Sequence, residues 1–129
     1  MPTRDQEYAA QIFQQVQEVA SWEAKEKKKY GSMAHKLPVL IRSAGLVQAL
    51  AFVAARGNSS QQRLLEHVAV VVGEGNAAQL LSRSRTADLA PYMALTQRVI
   101  AALLWYKRFA QSVLGVEQDG DEEQPEEAT

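Results

Sequence analysis

Apolar residues recur at helical spacing along most of the chain. Tyr8, Ile12, Val16 and Val19 stand three or four positions apart, with Phe13 and Ala20 beside them. This spacing predicts one amphipathic helix from about Arg4 to the lysine run before Tyr30. Thr3 and Gln6 have capping-box spacing ahead of it. No glycine or proline interrupts it, so Lys25 and lysines 27 to 29 fall in its last turns, where cations offset the negative end of the helix dipole. Gly31 is placed to stop it. Pro38 suits the first turn of a short second helix whose apolar face is Leu37, Leu40 and Ile41. Gly45 then either breaks or tightly packs the junction with Leu46 to Arg56, a segment apolar nearly all round, as expected of a buried central helix. Gly57-Asn58 ends it.

Ser59 with Gln62 repeats the capping-box spacing and opens a helix through Leu64, Leu65, Val68 and Val71 to Gly73. Its β-branched run, residues 68 to 72, admits a strand, but its length and its helical neighbours favour a helix. A Gly73-Glu74-Gly75-Asn76 turn leads to a short helix near Ala77 to Arg83. Thr86 or Asp88 caps the last helix, which carries Pro91 in its first turn and reaches Leu114. Leu89, Tyr92, Val99, Leu103, Tyr106 and Val113 mark one face of it, and Ile100, Leu104 and Trp105 widen that face. The stripe is broader than one packing surface needs, so part of it is expected to meet another subunit. The fold class is therefore all-α, a single compact bundle of five to six helices over residues 1–116.

Length supports this reading, since 129 residues make one domain with a modest core. The absence of cysteine removes disulfides and thiolate metal sites. Residues 1–24 are polar-interrupted, unlike a secretory signal, and the longest apolar stretch, 37–55, contains Pro38, Arg42, Ser43 and Gln48, unlike a membrane span. A cytoplasmic protein is expected.

Charge changes the picture more. The net charge of −1 conceals an acidic segment, residues 117–129, with seven acids and no base. That segment is predicted to be a disordered tail. Residues 1–116 carry fourteen bases against eight acids, and residues 25–63 carry eight bases against Glu26 alone. Such a local excess suits a polyanion.

Catalytic chemistry finds little footing. His35 and His67 lie in different elements, away from any acidic cluster at ligand spacing, so no metal site is expected. Neither a nucleophile elbow nor a phosphate loop nor a zinc-protease helix is present. The folded part offers no carboxylate pair for acid–base work. His35, next to a lysine, suits a structural or solvent-facing role better than that of a base. No active site and no cofactor are expected.

Binding residues are easier to nominate. Lys25, Lys28 and Lys29 share one helix side by spacing. Lys36 and Arg42 follow, and Lys107 and Arg108 stand late in the last helix. They read either as a phosphate-binding face or as a solvated surface that maintains solubility. Arg42 follows an apolar run, so its stem is expected to be half-buried. Tyr30, Trp22 and Trp105 have the rings to stack on bases, although core packing is the commoner fate of such residues.

The string from Tyr30 to Arg42, YGSMAHKLPVLIR, continues with Gly45-Leu46 and residues 48–52, QALAF. It resembles the small α-helical subunit of the Cmr-type (type III-B) CRISPR RNA-guided effector complex. A second matching piece is Tyr92, Leu95-Thr96 and residues 104–110, LWYKRFA, whereas residues 57–87 carry no diagnostic match. The acidic tail lies outside the pattern. The resemblance implies a non-catalytic subunit, copies of which stack into a short filament beside the backbone subunits that hold CRISPR RNA. These copies line the channel where target RNA pairs with the guide, and cleavage belongs to the backbone subunits. It assigns RNA contact to Lys36, Arg42, Lys107 and Arg108, and less specifically to the lysine run. The alternative is a free-standing helical DNA-binding regulator built on the helices flanking Gly45, whose second helix offers base edges only Gln48 and Arg56. The acidic tail itself is either a solubilising end or a segment that folds over the basic face and competes with RNA.

Overall fold

The computed structural model describes residues 1–118, so of the acidic segment only Glu117 and Gln118 are described and residues 119–129 lie outside the described residues. Every regular element among the described residues is an α-helix: α1 (Arg4–Val19), α2 (Ala24–Ala44), α3 (Leu46–Arg56), α4 (Ser59–Val71), α5 (Ala77–Thr86) and α6 (Leu89–Ser112).

The N-terminal half differs from expectation in where its helices stop. α1 is capped by the expected Thr3–Gln6 box and ends at Val19, before the lysine run. There the Ser21 hydroxyl donates to the Glu18 carbonyl at 2.7 Å, competing with the helical ladder. Trp22 turns in to meet Tyr30 edge-on, with ring centroids 5.7 Å apart. The lysines therefore open α2 rather than closing α1. Gly31 and Pro38 are both interior to α2. Gly31 is not a stop signal, because its missing side chain makes room for Val116: a Cβ built there would lie 2.7 Å from Val116 Cβ. Pro38 denies the Ala34 carbonyl its usual partner, a cost that burial of Leu37, Pro38 and Ile41 helps to offset. Gly45 does break the chain, at φ +89°, where a side chain would be strained.

α3 has the predicted ends but is not buried all round. Leu46, Ala49, Leu50 and Val53 face inward, while Phe52 is exposed. α4 is a helix, and its capping box is Asn58 with Gln61, one residue before the expected pair. Asp88 occupies the position before α6, with no side-chain bond to the helix start. Leu89 proves exposed, and the buried face of α6 instead runs through Leu95, Val99, Ala102, Leu103, Tyr106 and Ala110.

α2 and α6 share the largest helix interface and run antiparallel. At one end the Val47 N–H donates to Tyr92 Oη (3.2 Å), and at the other Val116 covers Gly31. α1 and α4 complete the core around them. Four helices also meet in one polar chain, buried at its Tyr30–His67 end and partly buried at Gln15. Tyr106 on α6 donates to Gln15 Oε1 on α1, Gln15 Nε2 donates to the His67 carbonyl on α4 (3.2 Å), and His67 Nδ1 lies 2.7 Å from Tyr30 Oη on α2. Burial pushes the phenol pKa values of both tyrosines up. Tyr30 is thus a core residue and no platform for bases.

Candidate nucleic-acid interface

Because α2 is continuous, positions read as separate fall on one helix face. Lys25, Lys29, Ser32, Lys36, Val39 and Ser43 recur at steps of four and three, and Lys28 stands beside the first of them. Lys25, Lys28 and Lys36 are exposed, and Lys29 is half-buried. At 1.5 Å per residue, Lys25 and Lys36 are separated by about 16 Å along the helix axis. Ser32 and Ser43 were not nominated from the sequence, since their place on this face depends on the helix passing through Gly31.

The electrostatics of the face follow from its neighbours. Glu26, the one acid in the lysine run, is turned toward α4, where Ser60 Oγ donates to its Oε1 and its Oε2 pairs with Lys29 Nζ at 3.5 Å. The Ser60 hydrogen bond, aided by Lys29, lowers its carboxyl pKa. Among the described residues Lys25, Lys28, Lys36 and Arg42 form no ion pair. Lysines in the opening turns also add to the positive end of the helix dipole, the reverse of the stabilising placement expected from the sequence. The α2 face is therefore a concentrated positive surface assembled at some cost to the helix.

The remaining nominees divide. Arg42 is exposed, not half-buried, and lies about a third of a turn from Lys36, on the flank that carries His35. Lys107 and Arg108 belong to α6, and no hydrogen bond or ion pair joins them to the α2 face among the described residues. The Arg108 guanidinium sits 5.0 Å from the Trp105 ring centroid, within an aromatic group that includes Phe109 and, 5.4 Å from it, Phe13 of α1. Trp105 and Trp22 are both half-buried against the core.

His35 is buried, and its Nε2 donates to the Val116 carbonyl at 2.9 Å. Among the described residues no group of three His, Asp or Glu side chains is placed to hold a metal ion. No described helix is long and apolar enough to cross a membrane. Around Gly45 the helix pair lacks the turn of three or four residues that a helix-turn-helix uses. The outward side of α3 presents Ala51, Phe52 and Ala55 beside Gln48 and Arg56, a poor surface for reading base edges.

Comparison with known proteins supplies the last observation. Residues 4–113 match the family model described as CRISPR-associated protein (Cas_Cmr5). The chain is 43% identical over 114 residues to the CRISPR system Cmr subunit Cmr5 of Thermus thermophilus, covering 88% of this chain and 98% of that protein. The crystal structure of a CRISPR-associated Cmr5 family protein from the same organism matches with a TM-score of 0.82 at 43% identity, over 88% of this chain and 98% of that one. The family match runs through residues 57–87, where no local motif is diagnostic.

Proposed function

This chain belongs to the CRISPR-associated Cmr5 family, and on that premise we propose that it is a non-catalytic small subunit of a type III-B CRISPR RNA-guided effector complex in the cytoplasm. It contacts guide or target RNA through the α2 lysine face. The observation that carries the reading is the row of Lys25, Lys28 and Lys36, exposed and without ion pairs among the described residues, beside Lys29. Phosphate contacts from such a row give affinity without sequence preference, as a subunit lining an RNA channel requires. Arg42 extends the face on one flank. Lys107 and Arg108 form a second, smaller basic site on α6.

Assembly draws on a different surface. Leu89, Met93 and Leu104 are exposed on one side of α6, and Phe52 is exposed on α3. Apolar side chains at regular helix spacing suit burial against copies of the chain or backbone subunits. Affinity purification of the tagged chain from its native cells tests the reading. Backbone subunits and CRISPR RNA are expected to copurify, and recovery of the chain without either contradicts it.

A further inference from the structure

The described chain ends against the lysine-bearing helix. Past α6, Leu114 is buried and the Val116 N–H donates to the Ala110 carbonyl at 2.9 Å. Val116 packs on Gly31, and its carbonyl accepts the His35 Nε2 bond. Gly31 is three residues past Lys28, and His35 immediately precedes Lys36. Gly31 and His35 share the flank of α2 that carries Arg42, a quarter to a third of a turn from the lysine row, so the acidic segment leaves the fold beside that row and level with its middle. Its thirteen residues, 117–129, hold seven carboxylates and no base. Extended, they reach at most about 43 Å, well beyond the roughly 16 Å row of lysines.

We propose that this acidic segment is a built-in competitor, whose carboxylates at residues 119–127 supply counter-charge to Lys25, Lys28 and Lys36 and must be displaced by RNA. The inference rests on the RNA-binding reading of the α2 face and adds its regulation. Three observations argue for this occupant: charge complementarity, the attachment point and the reach. Tethering places the carboxylates at an effective concentration on the order of millimolar beside the lysines. Each exposed pair is weak and screened by salt, so no single contact locks the face. A polyanion held elsewhere in a complex displaces the segment readily, whereas RNA that touches α2 alone competes at a disadvantage. The consequence is lower adventitious RNA binding by the free subunit.

The test uses the full chain and a full-length variant with D119N, D121N, E122Q, E123Q, E126Q and E127Q. Two readouts are taken at low salt: amide NMR signals of α2, and affinity for a fluorescent single-stranded RNA of mixed sequence. The two proteins are expected to differ in the signals of residues 25–36, and the variant to bind RNA about fivefold tighter, with both differences closing at high salt. Introducing K25Q, K28Q and K36Q should abolish the gain; a gain that survives comes from net charge alone and overturns the proposal. Identical α2 spectra with equal RNA affinity also overturn it, while leaving RNA binding intact. Differing α2 spectra with no RNA binding by either protein remove the RNA reading and keep the contact. Spectral differences that depend on protein concentration place the carboxylates on a second copy and overturn the intramolecular form.

Discussion

Burial of His67, reinforced by the charge of Arg63, lowers its imidazole pKa from an ordinary 6.5 to about 4, against the opposing pull of Glu18 and Glu66. Above pH 6.5 the residue is neutral in both the folded and unfolded chain. As pH falls below that value, the unfolded chain takes up a proton that the folded chain refuses until about pH 4. Stability is thus full above pH 6.5 and declines toward pH 4, by on the order of 2 kcal/mol from this group. Urea unfolding at pH 7.5 and 4.5 measures the loss, and His67→Gln is expected to reduce it; an equal loss in the variant refutes the assignment. Tyr30 makes the companion case. Tyr30→Phe leaves His67 Nδ1 without its 2.7 Å partner in a buried site, so a loss of about 1–3 kcal/mol is expected by the same measurement. Nothing local in the sequence marks Tyr30 for this role. Its partners lie 37 positions away at His67 and, through Gln15, on α1 and α6.

Among the elements, α2 is where sequence and fold diverge most, for a physical reason. Glycine and proline are local signals of helix ends, but at Gly31 and Pro38 tertiary packing overrides them. Val116, 85 positions later, explains Gly31, and a single-sequence reading has no access to so distant a contact. Gly31→Ala tests this. The helix gains about 1 kcal/mol of propensity, while the new methyl displaces Val116 and breaks its bond to His35. Stability should change little, whereas the NMR signals of residues 113–118 should move; unmoved signals would show that the fit at Gly31 is not close. The opening of α2 gives a second test. Lys25→Gln and Lys28→Gln remove cations from the positive end of the helix dipole, so each should stabilise the chain by about 0.3 kcal/mol while weakening RNA binding. Capping was read more successfully, since the Thr3–Gln6 box is local and the Asn58–Gln61 box lies one residue from its expected place. α3 and α5 also start where expected, because Gly45 and the Gly73–Asn76 turn act over short range.

At the scale of the whole molecule, the all-α bundle was legible because helical periodicity recurs in every segment between turns. Less legible was how the helices share the core. The outward side of α3 and the exposure of Leu89 depend on which faces meet. The candidate site was half legible: its lysines stand out by charge, but their alignment requires α2 to be unbroken. The family relationship accounts for the bundle; in the function proposed above, the exposed apolar residues of α6 are the surface for assembly and the basic face is the surface for RNA. The central claim is that the α2 lysine row carries RNA binding. It is tested most directly by the salt dependence of affinity for single-stranded RNA, compared between the parent chain and the K25Q/K28Q/K36Q variant. Loss of three phosphate contacts should flatten the slope of log affinity against log salt by about 2, with weaker binding throughout. An unchanged slope and affinity would contradict the account.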